Sequence, residues 1–546
     1  MKLPSKFILF DSLIGNVKPL IVDALASGKG IRHSTRDVIG AGPRTVAGIL
    51  EARGFYPDII PVEEYLKHGT LSKYNSLFIS GMSSDIQAVQ RSIRKWRKTA
   101  KGLVIIGGPV SSEPSRILRK TGGDIAVTGE GELTIIELLE NGLTEGRLPD
   151  NFDSIPGTSF RLGKKVHVNQ LRPVQPKRIF RDFPPSTETI TGYKLYKSAR
   201  VYVEVVRGCS NFRRARIGKI GERCIFCEKC TESSLTDRYN CPVGIPPGCG
   251  YCSVPSLYGP PKSRPSDLII YEVSELLDLG VHRVVLSAPG FLDYKRESLV
   301  DPEPLTDPKS PKPNYEQIEL LLEGLTTLPE VAAGNASIIV ENMKASLVTK
   351  RAAELLAKYL EGTAVNVGFE TGSEKHSQDL GRPDRPEETL EALKRLKKAG
   401  LKPYAYFIHG LPGQTHETVE ATVNMINKSM KVGAERIILY RFQSLPAITF
   451  SHCPSAPPAS QDPLSKRIYD AAQAANMSKK EALIGDIVKV VVAERYDRDQ
   501  RFWIAYPLKH GPVMLLSGNN YAEGDVVTAR ITDIASERMV YGVIFE

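Results

Sequence analysis

Seven of the eight cysteines of this chain lie between residues 209 and 252, at spacings typical of metal ligands. Cys209 follows an apolar run, whereas Cys249 and Cys252 come much later. If residues 213–248 are set aside, these three cysteines form the pattern C-x3-C-x2-C, with Tyr251 before the last cysteine. Three thiolates so spaced on one loop can each hold one iron of a four-iron cluster. The fourth iron then stays open for another ligand.

Four further cysteines lie inside segment 213–248. Cys224, Cys227 and Cys230 form C-x2-C-x2-C, and Cys241 follows, with Pro242 directly after it. Such a run is typical of ferredoxins and predicts a second iron–sulfur cluster, a 4Fe-4S centre. A tetrahedral zinc site could use the same four thiolates. The sequence leaves both metals open.

The first cluster has an alternative ligand set. Cys224 and Cys227 also enclose an aromatic residue, so they could replace Cys249 and Cys252 as the partners of Cys209. We favour the split triplet, because only Cys252 is followed by a segment that fits a known pattern.

The split triplet resembles the cluster loop of the radical S-adenosylmethionine (SAM) enzymes. Residues 252–259, Cys-Ser-Val-Pro-Ser-Leu-Tyr-Gly, and residues 262–265, Lys-Ser-Arg-Pro, resemble the segment after the triplet in the methylthiotransferase branch. The resemblance implies that the open iron of a 4Fe-4S cluster chelates SAM. It also implies that one electron, supplied by an electron donor, cleaves the sulfonium to give a 5′-deoxyadenosyl radical.

Length and composition set the class of protein. A chain of 546 residues predicts two to four domains, and 41% hydrophobic with 25% charged residues is typical of soluble globular proteins. No run of about eighteen apolar residues is present, which excludes a membrane-spanning segment, and the first residues predict no signal peptide. Cysteines clustered at metal-ligand spacings favour the reducing cytoplasm. The net charge of +10 permits a polyanionic partner.

The elements that must position these cysteines begin with residues 1–148, which alternate short strands with amphipathic helices. Strands of this kind separated by helices predict a doubly wound α/β domain with a ligand crevice at the carboxyl edge of its sheet. Two glycine-rich turns, 107–109 and 129–132, fall at that edge. The predicted strands are Phe7–Phe10, Pro57–Pro61, Ser76–Ile79, Leu103–Ile106 and Asp124–Val127.

The segments 105–109, Ile-Ile-Gly-Gly-Pro, and 124–132, Asp-Ile-Ala-Val-Thr-Gly-Glu-Gly-Glu, resemble the cobalamin-binding-type domain that precedes many radical SAM cores. The resemblance makes cobalamin a candidate cofactor. The Asp-x-His-x-x-Gly sequence that supplies a lower cobalt ligand is absent, and some relatives have lost the cofactor. Residues 32–44 are predicted to form a basic loop, and residues 149–198 a proline-rich linker.

Residues 199–450 resume the alternation and predict a (β/α)6 partial TIM barrel, with the cysteine-rich insertion 213–248 after its first strand. Chemistry in such a barrel lies at the carboxyl ends of the strands. The six predicted strands are Tyr202–Val206, Val281–Ala288, Ala336–Glu341, Ala364–Phe369, Pro403–His409 and Arg436–Phe442. Predicted helices between them include Asp267–Leu279, Thr349–Tyr359 and Pro386–Ala399.

Several strand ends resemble SAM-binding segments of the same family. The resemblance implies ribose contacts for Glu370 and Ser373, within 367–373, and a contact from Arg382 to the methionine carboxylate. Glu370 could instead be a structural ion-pair partner. Segment 407–413 resembles the turn beside the adenine, which assigns Gly410 and Gly413 to cofactor binding, together with Tyr251 of the triplet.

This part of the chain differs from the family pattern at one position and contains some weaker candidates for substrate contacts. The sixth strand ends in Pro-Ala-Ile, residues 446–448, where the family usually has Pro-Gly-Thr. Asp293 and Tyr294, just after the second strand, and Glu341, at the end of the third, could touch substrate or lie in surface loops. Asp85 in the first domain has the same status.

The C-terminal part consists of a linker with helices, 451–483, and a small β-barrel, 484–546. A helix is predicted over Leu464–Asn476, with a second amphipathic turn near Lys480. Five short strands fit an oligonucleotide-binding type of barrel, and residues 484–486 and 524–533 resemble the TRAM domain, an RNA-binding module. Candidate RNA contacts are Arg501, Trp503, Tyr506, Lys509 and His510. The alternative is that these side chains serve the barrel core or dock onto the chain's own catalytic domain. The predicted strands are Asp486–Glu494, Phe502–Pro507, Pro512–Leu516, Val526–Asp533 and Val540–Phe545.

These features predict a three-domain radical SAM enzyme that modifies RNA, and tRNA in particular, by methylthiolation or methylation. Methylthiotransferases keep three cluster cysteines in their N-terminal domain, whereas residues 1–208 contain none here. The insertion could take their place as a sulfur or electron source, or be structural. The alternative hypotheses are a radical SAM enzyme acting on a small molecule, lipid or protein, and a non-catalytic iron–sulfur RNA-binding protein.

Overall fold

The computed structural model describes residues 18–32, 35–69, 71–143, 146–222, 224 and 227–545. The chain divides into two compact units, one of residues 1–33 and 42–172 and the other of residues 34–41 and 173–546. Among the helices of the described ranges, none combines the length and the apolar character that a bilayer crossing requires. The predicted strand Phe7–Phe10 falls outside the described residues.

The first unit is built on a mixed sheet. Its strand order is β3-β1-β4-β5-β6-β7-β8, parallel from β3 to β6 and antiparallel in the last two pairs. Its strands are β1 (Pro19–Asp23), β3 (Asp58–Pro61), β4 (Ser76–Ser80), β5 (Leu103–Gly107), β6 (Ile125–Val127), β7 (Thr158–Leu162) and β8 (Lys165–Val168), and β2 (Val38–Ile39) belongs to the second unit. Its helices are α1 (Ala41–Glu51), α2 (Val62–Lys67), α3 (Ile86–Thr99), α4 (Pro114–Thr121) and α5 (Glu132–Glu140).

Four predicted strands of this unit are confirmed, as β3, β4, β5 and β6. The sequence did not predict β1 or the hairpin β7–β8, which lies within the predicted linker 149–198. The hairpin turns at Gly163, whose φ of +61° suits a residue without a side chain. The predicted doubly wound sheet is therefore present, with an antiparallel extension at one edge.

Asp85 ties the loop after β1 to the loop after β4. Its buried carboxylate accepts hydrogen bonds from the backbone N–H groups of Ala26, Gly28 and Met82, at 2.9, 2.7 and 2.8 Å. Burial raises the pKa of Asp85, although these N–H groups act in the opposite direction. The carboxylate thus holds the backbone at the carboxyl edge of the sheet.

The second unit contains the partial barrel. Strands β13-β12-β9-β2 and β14-β15-β16-β17 form two parallel groups, and the N–H of Asn366 donates to the carbonyl of Glu341 at 3.1 Å between them. All six predicted strands are found; the third corresponds to β13, and the short strand β14 follows it outside the predicted range. The strands are β9 (Arg200–Glu204), β10 (Val206–Arg207), β11 (Lys262–Ser263), β12 (Arg283–Ser287), β13 (Ser337–Val340), β14 (Asn342–Met343), β15 (Ala364–Glu370), β16 (Lys402–His409) and β17 (Arg436–Arg441).

Helices cover the outer face of this barrel and continue into a long connector. The predicted helices are confirmed as α10, α13 and α15, and the helix near Leu464 runs on through Lys480. The helices are α6 (Ile179–Asp182), α7 (Lys219–Glu222), α8 (Lys229–Glu232), α9 (Val254–Tyr258), α10 (Ser266–Asp278), α11 (Tyr315–Thr326), α12 (Pro329–Ala332), α13 (Lys350–Leu360), α14 (Glu374–Asp379), α15 (Pro386–Lys398), α16 (His416–Lys431) and α17 (Pro463–Glu481).

Strand β2 corrects the prediction of a simple loop over residues 32–44. Val38 and Ile39 pair with the first barrel strand, and the carboxylate of Asp37 binds Arg200 at 3.0 Å and Arg283 at 3.1 Å. Burial opposes ionisation of Asp37, but the two guanidinium groups outweigh it and lower its pKa. No local pattern marks this strand, because its partners lie more than 150 positions away.

Residues on the barrel strands alternate between partly exposed and buried. In β15 and β16 every second residue is buried, and these side chains face the helices; the residues between them line the lumen and keep some exposure. A TIM barrel normally fills its interior with packed side chains. Here the lumen residues are incompletely buried, so the interior offers room for a ligand.

The C-terminal barrel is closed, with the order β18-β19-β20-β22-β21. All five predicted strands are confirmed, and Val490, Val492, Met514 and Leu516 are among the residues that fill the core. The strands are β18 (Ile487–Arg495), β19 (Phe502–Pro507), β20 (Val513–Ser517), β21 (Val526–Ile534) and β22 (Met539–Ile544).

This small barrel docks at the amino ends of the parallel strands. Lys489 donates to the carbonyl of Gly334 at 2.7 Å, just before β13, and Lys509 donates to the carbonyl of Glu361 at 3.1 Å, just before β15. The catalytic edge of a parallel barrel is the opposite one. The C-terminal barrel therefore closes the end of the lumen that lies away from the cysteine loop.

Candidate active site

The cysteine loop leaves the first barrel strand at a glycine that no other residue can replace without a shift. Gly208 has a φ of +86°, and a Cβ there would lie 2.3 Å from the carbonyl oxygen of Pro260. The N–H of Cys209 then donates to the carbonyl of Gly259 at 3.0 Å. Cys209 is thereby placed at the carboxyl end of β9.

The two ends of the insertion meet. The N–H of Gly248 donates to the carbonyl of Arg213 at 2.8 Å, so the chain leaves and returns at one point. Asn211 spans the junction: its N–H donates to Sγ of Cys209 at 3.4 Å, and its side-chain amide donates to Sγ of Cys249 at 3.3 Å. The insertion therefore loops out without separating the two parts of the triplet.

The three thiols of the triplet are neighbours. Burial raises the pKa of Cys249, and Cys209 adds to the effect. Burial raises the pKa of Cys252 to about 12, and both Cys249 and Cys209 add to it. The N–H of Cys252 donates to the carbonyl of Cys249 at 2.8 Å, which fixes the turn between them. A cation that binds three such groups removes this cost, because thiolates are the ligating form.

This donor set fits a four-iron cluster. In the described residues, no three His, Cys, Asp or Glu side chains converge on the position of one metal ion. A cluster does not require such convergence, because each thiolate binds a different iron. Amide donors at the sulfurs, as Asn211 provides, are a recognised means of tuning such clusters.

Beside the triplet, Arg382 links the other predicted cofactor-binding residues. Its guanidinium donates to the hydroxyl of Tyr251 at 2.7 Å and to the carboxylate of Glu370 at 3.0 Å, and it also donates to the carbonyl of Gly368. Glu370 and Arg382 are therefore ion-paired with each other, which is the structural role that the sequence left open for Glu370. Burial raises the pKa of Glu370, and Arg382 opposes this.

Glu370 has an unusual backbone. Its φ of +64° lies in the left-handed region, and the pairing of β15 with β16 is irregular between Gly368 and Glu370. Such a conformation costs about 1 kcal/mol or more in a residue other than glycine. Strain of this kind is common at functional sites, where the surrounding structure holds a side chain in one direction.

The remaining predicted cofactor residues form the turns around this site. Ser373 caps α14, its hydroxyl accepting from the N–H of His376 at 3.3 Å. Gly410 and Gly413 both have positive φ, of +72° and +83°. A Cβ on Gly410 would lie 2.2 Å from that of Ala456. These positions therefore have structural roles of their own, alongside the predicted contacts.

A buried network of charged residues lies beside the cysteine loop, and the sequence did not predict it. Asp293 receives hydrogen bonds from Ser210, at 3.1 Å to each carboxylate oxygen, and ion-pairs with Lys344 and Arg296. The side chains of Asp293 and Arg296 are almost completely buried. Asp293 thus supports the residue next to Cys209 instead of lying in a surface loop. Tyr294 is also buried, and its hydroxyl donates to the carbonyl of Arg264 at 3.2 Å.

The lumen near the carboxyl ends carries one carboxylate that has no ion pair within the described residues. Glu341 accepts from the hydroxyl of Ser287 at 2.9 Å, and burial raises its pKa. Tyr202, Tyr406 and Tyr440 lie close enough for their ionisation to be influenced by Glu341, and the last two rings are 5.4 Å apart. The lumen is therefore acidic and aromatic at this level.

Docking of the C-terminal barrel occupies three of the predicted RNA contacts. Tyr506 is 6% exposed, and the guanidinium of Arg283 lies 5.3 Å from its ring centre. His510 bonds the hydroxyl of Tyr404 at 2.9 Å, and Lys509 binds a backbone carbonyl of the core. The alternative of docking onto the chain's own catalytic domain therefore applies to Tyr506 and His510, which contact core residues, whereas Lys509 stays exposed.

The other two predicted RNA contacts lie elsewhere. Trp503 packs partly buried on the barrel core, with the guanidinium of Arg495 4.5 Å from its ring centre. Arg501 is exposed and pairs with Asp499 at 2.7 Å. Of the five predicted RNA contacts, Arg501 and Lys509 are therefore the exposed ones.

Comparison with known proteins agrees with this geometry. Residues 239–426 match the Radical SAM superfamily. The chain belongs to the radical SAM superfamily. It is an enzyme of that superfamily, whose chemistry requires a 4Fe-4S cluster and SAM.

Individual relatives of this radical SAM enzyme are similar over different lengths. An uncharacterized protein of Methanopyrus kandleri is 40% identical, over 96% of this chain and 95% of that protein. The tRNA-2-methylthio-N(6)-dimethylallyladenosine synthase of Bdellovibrio bacteriovorus is 26% identical, over 46% of this chain and 51% of that enzyme. The radical SAM methyltransferase TsrM of Kitasatospora setae, solved with cobalamin and a [4Fe-4S] cluster bound, superimposes with a TM-score of 0.54 at 14% identity, over 79% of this chain and 73% of that one.

In this radical SAM enzyme, the sequence Pro-Ala-Ile at the end of the sixth strand replaces the usual Pro-Gly-Thr but keeps a backbone conformation that suits glycine. Ala447 stands where the family pattern has glycine, and it adopts a φ of +58°. That conformation favours glycine. The backbone of the family's turn is therefore kept, although the residue has changed.

Proposed function

We propose that this radical SAM enzyme modifies RNA, with tRNA as the substrate, by methylation or methylthiolation in the cytoplasm. The radical SAM part of this proposal rests on the junction at Asn211, which contacts the thiols of Cys209 and Cys249; the N–H of Cys252 bonds the carbonyl of Cys249. In this proposal, the thiolates of Cys209, Cys249 and Cys252 would hold the 4Fe-4S cluster. With SAM bound, that cluster supplies one-electron cleavage of the sulfonium to a 5′-deoxyadenosyl radical.

The residues around the triplet have defined roles in this proposal. Arg382 and Glu370 would hold the polar groups of SAM, with Tyr251 fixed between the guanidinium and the cysteine turn. Asn211 would stabilise the thiolate form of Cys249 through its amide donor. The open lumen, with Glu341 and its tyrosines, would receive the group to be modified. The buried network of Asp293 would keep the loop in place.

Cysteine variants test the cluster assignment. Replacing Cys209, Cys249 or Cys252 with Ala should abolish production of 5′-deoxyadenosine from SAM under reducing, anaerobic conditions. Cys453→Ala is the matched control, because this eighth cysteine is partly buried outside both cysteine groups. Activity retained in Cys252→Ala but lost in Cys227→Ala would show that the wrong cysteines were paired.

For RNA binding we propose the free face of the C-terminal barrel. A groove of about 360 Å³ there is lined by Phe502, Ser517, Thr532, Asp533, Tyr541, Gly542 and Val543. The rings of Phe502 and Tyr541 are 5.2 Å apart, and the guanidinium of Arg501 lies 5.8 Å from the first of them. Arg530 lies 4.7 Å from the ring of Phe545. Aromatic faces beside cations suit stacked bases and phosphates.

Point variants on this face are the appropriate test, because removing the barrel would also uncover the core. Tyr541→Ala should weaken tRNA binding by roughly tenfold or more, because one stacked base contributes about 1–3 kcal/mol. Arg530→Ala should weaken it through loss of a cation beside the aromatic face. The apparent affinity should fall steeply with salt. Tyr271→Ala, which removes an exposed tyrosine from α10, is the matched control. If neither variant changes binding at any salt concentration, a small-molecule, lipid or protein substrate takes precedence.

We also propose that the first unit binds cobalamin at the carboxyl edge of its sheet. Gly107 and Gly129 have open space where a side chain would stand, so a ligand could approach the backbone closely. The solved relative TsrM carries cobalamin. Reconstitution with hydroxocobalamin followed by cobalt analysis and absorption spectroscopy should find about one corrinoid per chain. Absence of cobalt would restrict the chemistry to the cluster and SAM.

A further inference from the structure

Arg214, in the cysteine-rich insertion, is a buried cation. It is 3% exposed, and its guanidinium donates to the carbonyls of Ile245, Arg238 and Tyr239 at 2.9, 3.1 and 3.2 Å. These carbonyls fix its position but supply no negative charge. Such a group needs an anion nearby, because a buried unpaired charge is costly.

The candidates for that anion are thiols. Cys241, Cys230 and Cys224 lie close enough to Arg214 to influence the pKa of its guanidinium. Arg216 approaches the same group, with a guanidinium nitrogen 3.8 Å from Sγ of Cys230. Among the described residues, no carboxylate forms an ion pair with Arg214. Two arginines therefore lie near three of the four thiols of the insertion, and these thiols carry no charge unless they are ionised.

Metal binding supplies the missing charge. Thiols ligate metals as thiolates, and four thiolates around a four-iron cluster leave a net negative charge of about two. Two guanidinium groups balance that charge. Without a metal, the two arginines would have no anion beside them, and burial of their charge would destabilise the fold.

The spacing of these cysteines is typical of an iron–sulfur cluster. Three cysteines in a C-x2-C-x2-C run, followed by Cys-Pro, occur in ferredoxins. A single zinc ion could use the same four thiolates, so metal analysis of the reconstituted protein distinguishes the two.

We propose that Cys224, Cys227, Cys230 and Cys241 hold a second, redox-active four-iron cluster whose charge Arg214 and Arg216 balance. Reduction adds one electron and no proton, so the centre becomes more negative. The arginines favour that reduced form, and they therefore raise the reduction potential. This inference does not depend on the proposed RNA substrate.

The experiment isolates the second centre in the full-length chain. Replacing Cys209, Cys249 and Cys252 together with Ala removes the SAM-binding cluster, so the iron that remains belongs to the insertion. Anaerobic reconstitution should give roughly four irons and four sulfides per chain, with little zinc. Dithionite, as the one-electron reductant, should produce the electron paramagnetic resonance signal of a reduced cluster. Neither SAM nor RNA enters this measurement, so failure of the proposed function would leave it unchanged.

Arginine variants on this background test the charge balance. Arg216→Met should lower the reduction potential enough to change the ratio of reduced to oxidised cluster about tenfold at a fixed potential, which is 59 mV for one electron. Arg214→Met should act more strongly, and Arg214→Lys should keep most of the potential. Arg213→Met is the matched control, because the guanidinium of Arg213 binds the carbonyl of Pro383 at 3.4 Å instead of a thiol.

Three results would overturn the proposal. One is a centre that binds one zinc and no iron. Another is a cluster whose potential is the same in Arg216→Met and in the Arg213→Met control. The third is a shift of equal size in Arg214→Lys and Arg214→Met. If Arg214→Met loses the cluster through misfolding of the insertion, Arg216→Met and Arg214→Lys still decide the question.

Discussion

The side-chain amide of Asn211 donates a hydrogen bond to Sγ of Cys249 at 3.3 Å, although the two residues are 38 positions apart. The same amide donates to the carbonyl of Gly381 at 3.0 Å, so both of its N–H groups are used. One asparagine thus connects the first part of the triplet, the second part and the segment that carries Arg382.

Replacing Asn211 should weaken the cluster without removing any ligand. Asn211→Ala loses the donor at the sulfur, and loss of such an outer contact typically reduces metal affinity by about 10- to 100-fold. Asn211→Asp should be worse, because it places a carboxylate beside a thiolate. Iron retention during chelator challenge measures both. Asn240→Ala, which removes an exposed amide in the insertion, should retain iron like the unmodified protein.

The pair Arg382–Glu370 separates structural support from cofactor binding. Arg382→Met leaves a buried carboxylate without its cation, which should reduce the free energy of unfolding by about 3–5 kcal/mol. Adding Glu370→Gln should restore much of that stability. If the two residues also hold SAM, the double variant should bind it at least tenfold more weakly.

Equilibrium SAM binding and thermal unfolding, measured on the same samples, provide the comparison. Arg385→Met is the control, because Arg385 forms an exposed pair with Glu374, at 3.2 Å, that should contribute less than about 1 kcal/mol. A double variant that is stable and binds SAM normally would reduce Arg382 to a structural role.

The sequence predicted the fold of the core well, because each strand and helix carries its own apolar periodicity. It also separated the cysteines into two groups, because the triplet pattern C-x3-C-x2-C becomes visible once the insertion 213–248 is set aside. What it missed depends on distant partners. The network of Asp293 and Lys344, and the docking of His510 on Tyr404, join residues that are 51 and 106 positions apart. Charged and aromatic residues in such pairs look like surface residues until the fold is known.

Ala447 offers a test of backbone strain. Ala447→Gly should stabilise the protein by about 0.5–1 kcal/mol, because glycine adopts a φ of +58° without the steric cost that alanine carries. Thermal unfolding measures the change. Ala474→Gly, at an exposed position within α17, should instead destabilise by about 1 kcal/mol. Destabilisation of similar size in both variants would contradict the strain argument.

The docked barrel should make stability depend on pH. Burial lowers the pKa of His510 to about 4, below its ordinary value of 6.5. The unfolded chain therefore binds a proton that the folded chain rejects, and stability present above pH 6.5 is lost as the pH falls toward 4. The difference corresponds to roughly 3 kcal/mol. Glu435 extends the loss from its ordinary value of 4.5 down to about 2, because lysines outweigh its burial and lower its pKa.

Thermal unfolding between pH 7.5 and 4.5 measures this dependence. His510→Gln removes the titrating group and should flatten the upper part of the curve. His452→Gln, at an exposed histidine, should leave the curve unchanged. A curve that keeps its slope in His510→Gln would assign the pH dependence to other groups.

The docking of the C-terminal barrel on the amino ends of the parallel strands also limits how ligands reach and leave the lumen. That end is covered through Lys489 and Lys509, so in the described part of the chain SAM, substrate and products would share the carboxyl ends of the strands, where the cysteine loop lies. Molecules that share one entrance must enter and leave in order. The spent cofactor fragments and the modified product therefore compete for the same exit, and an ordered kinetic sequence follows from the architecture.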